Sequence, residues 1–392
     1  MRMLHEPRRR ARTALLPFML MAAACGGIAG CVEAPSELDL ASAQQELAGS
    51  WQNVKPMLGV RQYHAAVLLP SGKVLVTGGL KTASQALATT EIYDPVANTW
   101  TSAASLATAR AYHSATLLPN GKVLVVGGSV NFQGVSSAEL YNPATNTWTP
   151  AGALSVGRHL HTVTILPNGK VLIAGGYGSN IISTKNVDIY DPATNTWTQA
   201  VPLTTTRAYH SATLLPNGKV LVMGGYDSTV PGGEVDGIDV ASAELYDPAT
   251  NTWTAATPLP QRRQAHSATL LSSGEVMVTG GTSNGVVQRN VNVYNPATNT
   301  WTTKAAFSVS RRGYTTTFLS GGKTLIVGGE VFPSYVGATE LYDPATNTWA
   351  TQPSLNTGRV RHTATMLQNG KVLVAGGYGA PGFLVSAEIY TP

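Results

Sequence analysis

Seven copies of one unit occupy nearly all of this chain, and their regular spacing constrains the fold more than any other feature. A Gly-Gly pair recurs in register at Gly78-Gly79, Gly127-Gly128, Gly175-Gly176, Gly224-Gly225, Gly280-Gly281, Gly328-Gly329 and Gly376-Gly377. Tryptophan recurs with it at Trp51, Trp100, Trp148, Trp197, Trp253, Trp301 and Trp349. Each Trp is followed ten residues later by an Arg, and that Arg is followed seventeen residues later by the Gly-Gly pair. All length variation therefore falls between Gly-Gly and the marker tyrosine seven residues before the next Trp.

Within a unit, runs such as HSATLL and KVLVVGG flank a Pro-Asn-Gly turn, whose glycine supplies the positive φ of a tight hairpin. A third run ends in Tyr-Asp-Pro or Tyr-Asn-Pro, and a fourth carries Asn-Thr-Trp. Four short strands per unit, in units that cannot bury their faces alone, predict an all-β, seven-bladed β-propeller of four-stranded antiparallel blades. The N-terminal unit supplies only a fourth strand around Trp51, and the C-terminal unit stops at its third strand, Glu388-Ile389-Tyr390. The N-terminal strand therefore joins the C-terminal blade, and the ring closes without open edges.

Charge excludes one class of function. The formal net charge is +5, but the first thirty residues hold five of the 26 basic side chains, leaving 21 basic against 20 acidic in the rest. So small an excess gives no footprint for nucleic acid. Those thirty residues have the form of an export signal: a basic RRRAR run, an apolar stretch from Leu15 to Ala24, then Ile28-Ala29-Gly30 before Cys31. The segment resembles a bacterial lipoprotein signal, which implies lipid attachment at Cys31. Residues 1–30 are then a signal peptide, 31–49 a polar lipidated tether and 50–392 the propeller. The expected location is the bacterial cell envelope, with lipid as the only membrane anchor, or secretion if the cysteine is not lipidated. Cys25 and Cys31 are the only cysteines, so the repeats contain neither a disulfide nor a thiolate ligand.

The Gly-Gly, Tyr and Trp markers at these spacings resemble the kelch-repeat family over roughly residues 51–392. The form Arg-x-Tyr-His-Ser-x-x-Leu-Leu-Pro, at Arg110–Pro119 and Arg207–Pro216, is similar to the propeller of galactose oxidase and related copper-radical enzymes. The resemblance implies a propeller. Copper-radical chemistry would further need a cysteine crosslinked to tyrosine and a histidine from another domain. Neither has a counterpart among the repeats, which argues against that activity.

Strand parity places the variable loops after Gly-Gly and the links before Arg on one face, and variable loops on a repeating scaffold are where binding residues collect. The candidate surface comprises Arg262, Arg263, Tyr112, Tyr209, Tyr226, Asp227, Glu234, Asp236 and Asp239. The longest loop, residues 226–242, carries the four acids and offers carboxylate oxygens to Ca²⁺, although a solvated acidic loop explains the same composition. No other cofactor and no catalytic residue is expected. The arginine column (Arg61, Arg110, Arg158, Arg207, Arg263, Arg311, Arg359) faces an acid column two residues before the marker Tyr, which predicts ion pairs within each blade. Asn292 breaks the acid column and leaves Arg263 the least committed. The histidine column (His64, His113, His161, His210, His266, His362, with Tyr314 in the remaining unit) is spread round a ring, so it predicts hydrogen bonds between blades and no metal. The functional expectation is a monomeric binding module for a protein or glycan. A sugar-active enzyme similar to sialic acid mutarotase is the alternative, and a passive surface repeat with short, flat loops the third reading.

Overall fold

The computed structural model describes residues 49–230 and 237–392. Seven four-stranded antiparallel sheets make up the ring, and blade one shows the plan: Ala65–Leu68, Val74–Thr77, Thr90–Asp94 and Thr99–Ala103, paired in that order. Blades two to six begin at Ser114, Thr162, Ser211, Ser267 and Thr315. Blade seven takes Thr363–Met366, Val372–Ala375 and Ala387–Thr391 from the C-terminal end and Ser50–Val54 from the N-terminal end. Trp51 pairs with Tyr390 in that closing register. First strands touch first strands all the way round, including Thr363–Met366 against Ala65–Leu68, so they line the axis.

The second strands are wholly buried, because each lies between two strands of its own blade with a neighbouring blade over each face. Their unbroken apolar runs suit that position, where alternation would bury polar side chains. Outer strands alternate between exposed and half-buried residues. Each tryptophan fastens its blade to the preceding one. Trp100 Nε1 donates to the Lys55 carbonyl at 2.8 Å, Trp148 to Ala104 at 2.7 Å and Trp301 to Thr257 at 2.9 Å. Trp51 makes the same bond to Pro353 at 2.9 Å, which completes the circle. Each tryptophan also packs on the marker tyrosine of its own sheet, with ring centroids 4.9 to 5.1 Å apart.

The Gly-Gly pair is required where adjacent blades converge. In blade one Gly78 and Gly79 have φ of +59° and +97°, and a Cβ on Gly78 would stand 2.4 Å from the Arg110 carbonyl oxygen. No side chain fits there.

Candidate binding site at the axial mouth

The arginine column is internal. All seven guanidinium groups are buried, with six paired to the acids of their own blades, as in Arg110–Glu139 at 2.7 Å and Arg207–Glu244 at 2.6 Å. In five of these six blades the acid's other oxygen accepts a backbone N–H from the link before the arginine, for example Leu58 N to Glu91 Oε2 at 2.7 Å, and in blade three the Ser155 hydroxyl donates to Asp188 instead. This corrects the expectation for Arg263. It is fully buried, donates to Asn292 Oδ1 at 2.8 Å and lies 3.4 Å from the Gly280 and Asn290 carbonyls, so it does not line the face. Its neighbour Arg262 is exposed there.

The histidines are equally committed. His64 Nε2 meets Thr363 Oγ1 at 2.9 Å, His113 meets Thr77 at 2.9 Å and His210 meets Thr162 at 3.0 Å, each across a blade boundary. Burial holds them neutral and pushes His113, His161, His266 and His362 down to about 3. Tyr314 substitutes by reaching Thr279, whose carbonyl accepts its hydroxyl at 2.6 Å.

What does face the axis is the residue two places after each arginine: Tyr63, Tyr112, Leu160, Tyr209, Ala265, Gly313 and Arg361. All seven have a positive φ, between 51° and 65°. Five of the seven neighbouring pairs are joined by backbone hydrogen bonds, with Tyr112 N donating to the Tyr63 carbonyl at 3.0 Å, Ala265 N to Tyr209 at 2.9 Å and Tyr63 N to Arg361 at 3.3 Å. On that floor the Tyr63 and Tyr112 rings lie 3.9 Å apart, and the Arg361 guanidinium sits 4.9 Å from the Tyr63 ring centre. Burial raises the Tyr63, Tyr112 and Tyr209 hydroxyls above their ordinary range, and the Arg361 cation opposes the rise in all three. Its field therefore reaches across the mouth. Arg361 has no close counter-charge of its own: Glu330 lies 3.9 Å away and binds Arg312 at 3.0 Å, while Gln62 Oε1 accepts from Arg361 at 3.4 Å.

The walls are the variable loops. In five blades they form short antiparallel ribbons beyond the sheet, such as Ser129–Val130 with Gln133–Gly134 and Glu330–Val331 with Ser334–Tyr335. These loops are neither short nor flat, so the support named for a passive repeat is missing. Tyr226 and Asp227 form such a ribbon with Ile238 and Asp239 in the longest loop. Both described carboxylates of that loop have protein donors: Asp227 accepts from Thr206 and from Thr229 N at 2.9 Å, and Asp239 from Gln264 at 2.8 Å and Asn284 N at 2.5 Å. Glu234, Asp236, Cys31 and the whole signal and tether lie outside the described residues.

Of the predicted surface, the structure brings Tyr112 and Tyr209 together at the axis and places Tyr226, Asp227 and Asp239 in the wall. Sequence reasoning passed over Tyr63 and Arg361 as binding residues. The available signal was their shared place two residues after a column arginine.

A closed ring of kelch-like blades with loop walls around an axial mouth defines an interaction scaffold. The chain matches the profile of the KLHDC2/KLHL20/DRC7 Kelch-repeats domain over residues 43–225 and again over 161–377, and it belongs to the kelch-repeat family. Kelch propellers generally mediate protein interactions. No match was found among curated proteins. Among solved structures, the fold is similar to a copper-bound fungal alcohol oxidase of the AA5 family, with 18% identity, a TM-score of 0.72 and coverage of 88% of this chain and 76% of that one. That likeness concerns the fold. Here the mouth tyrosines and the histidines that follow them diverge, since each histidine Nε2 is directed at a hydroxyl of the adjacent blade.

Proposed function

We propose that this chain is an exported recognition module that takes a protein or glycan ligand at the mouth on its loop face. One observation carries the reading: three half-buried tyrosines converge on the axis with Arg361, a cation whose nearest carboxylate oxygen is 3.9 Å away. Aromatic and arginine side chains in such settings supply most of the energy at recognition surfaces. Lipid on Cys31 and the polar tether would hold the ring at the cell envelope. Mass spectrometry of the mature N-terminus tests this, and an unmodified start at Val32 or later would reject it.

A glycan array and a pull-down from envelope extracts, run with wild type and with Y112A/R361Q, test the mouth. The variant should lose the ligands that the wild type holds; equal capture by both would refute the site. Calcium at the 226–242 loop is a separate proposal, and a titration with neither heat nor thermal shift would reject it. The sugar-active alternative needs a carboxylate free to act beside the arginine, and Glu330 is already engaged by Arg312. Binding is the better-supported reading.

A further inference from the structure

We infer that the loop face seats on a lipid bilayer, with the apolar tips of the loops entering the membrane interface. This rests on the reading of that face as the binding face, and it adds what the face lies against. The mouth would then meet partners that project from the same membrane.

The tips carry the inference. Phe132, Ile181, Ile182, Val230, Val286 and Phe332 all lie between a Gly-Gly pair and the following third strand, and all are exposed, Phe332 by 82% and Val286 by 63%. They belong to five successive blades, so they stand round the axis as separate points. Two further exposed apolar residues, Leu58 and Val156, lie in the links on the same side, while Val201 lies at the blade boundary against the turn that holds Asn251. Among the described residues only Val96 and Phe318 represent this class at the opposite end. Exposed apolar surface concentrated on one side marks an interaction site. A folded partner would need a matching pit for each point, whereas a fluid interface accommodates all of them at once.

Charge agrees. Lys81, Lys185, Arg262 and Arg289 are exposed in these loops and links, while the described carboxylates beside them, Asp227, Asp239 and Glu330, are buried and engaged. Glu234 and Asp236 lie outside the described residues. On the opposite face four of the six lysines that follow a hairpin glycine, Lys73, Lys170, Lys219 and Lys323, are paired with an aspartate at 3.0 to 3.3 Å, while Lys122 and Lys371, whose strand partners bring no acid, are not. Among the described residues, Lys81, Lys185 and Arg289 stand among the apolar points without an ion-pair partner, and Arg262 feels only the buried Asp239, which complements anionic headgroups.

The test is co-sedimentation of the chain from Val32 onward with vesicles of phosphatidylethanolamine and phosphatidylglycerol, and with phosphatidylcholine vesicles. This chain keeps both strands that close the ring and carries no acyl group. It should partition onto the anionic vesicles, more weakly at high salt. I182S/V286S/F332S should lower the partition coefficient roughly tenfold, with an unchanged unfolding midpoint because all three residues are more than half exposed. The inference is overturned if wild type stays in the supernatant, if the triple variant partitions like wild type, or if the tips prove to bind a soluble protein without vesicles. Y112A/R361Q separates the two readings: loss of ligand with vesicle binding retained supports both, and ligand binding with no vesicle binding rejects only the membrane.

Discussion

Replacing Pro260 with Ser and Asn292 with Asp together is predicted to stabilise the propeller by more than the two single changes added. In the other blades the acid also accepts from the residue three before the arginine, on its second oxygen from Ala107 N at 2.7 Å, Thr204 N at 2.8 Å, Ser308 N at 2.8 Å and Asn356 N at 2.8 Å, and in blade three from Ser155 Oγ at 3.0 Å on the Asp188 oxygen that also meets Arg158. In blade five that residue is Pro260, which has no N–H, and the acid is replaced by Asn292. Donor and charge are missing together. Asn292→Asp alone turns a neutral hydrogen bond to Arg263 into a charged one, a gain of about 1 kcal/mol, but it buries a carboxylate lacking its second donor. The two terms nearly cancel. Pro260→Ser alone loosens the unfolded chain and costs about 0.4–1 kcal/mol. In the double variant the backbone N–H gained by Pro260→Ser meets the carboxylate introduced by Asn292→Asp, which adds about 1.5–3 kcal/mol. Urea unfolding of the four proteins near neutral pH, followed by tryptophan fluorescence, gives the coupling energy directly. A value below about 0.5 kcal/mol would refute the idea that the link donor decides which blades can hold an acid.

Three further outcomes follow from the same contacts. Glu139→Gln leaves the Arg110 cation uncompensated in a fully buried position and should cost about 3–5 kcal/mol in urea unfolding. Trp51→Ala removes the bond to Pro353 and the packing on Tyr390 that close the ring, and thermal melts should show a loss of about 3–5 kcal/mol; an unchanged midpoint would mean that the ring is not sealed there. The six column histidines resist protonation in the fold, His113, His161, His266 and His362 until about pH 3 and His64 and His210 until well below their ordinary value, but accept it near 6.5 when unfolded, so their contribution is full above that value and is lost as pH falls. Each adds a slope of about 1.4 kcal/mol per pH unit, and urea midpoints should be level above neutrality and drop steeply toward pH 4.

The ring was legible because its determinants are residue types at fixed spacing. Trp, Tyr, Gly-Gly and the Arg and acid columns each make one contact that every blade repeats, and the incomplete end units announce their own pairing. Arg263 is misread from sequence for a physical reason: the lack of an acid opposite looks like freedom, yet the backbone buries every column arginine irrespective of its partner, and an amide with two distant carbonyls takes the acid's place. The apolar column four before each arginine, Met57, Leu106, Leu154, Leu203, Leu259, Phe307 and Leu355, is buried throughout and equally hard to read. Its position in a link without strand periodicity gives no pattern to follow.

The mouth was the least legible part, because its geometry comes from a conformation that its residues do not advertise. A left-handed backbone costs a non-glycine residue about 1–2 kcal/mol, and of the seven positions that adopt it only Gly313 is glycine. In five blades a hydrogen bond from the floor residue to that of the preceding blade helps offset that strain, and the conformation is shared by all seven whatever the side chain. Variation at this one position then sets the chemistry: tyrosine in blades one, two and four, a cation in blade seven, and Ala265 and Gly313 in blades five and six. The tyrosines and Arg361 therefore share the floor with a sector kept low by small residues, which adjoins Arg361 at Gly313. Adding bulk there is resisted, since a Cβ on Gly313 would come within 2.4 Å of Val360 Cγ2. A ligand that reaches Arg361 has room for its larger part over blades five and six, beside the exposed Arg262 and Arg289.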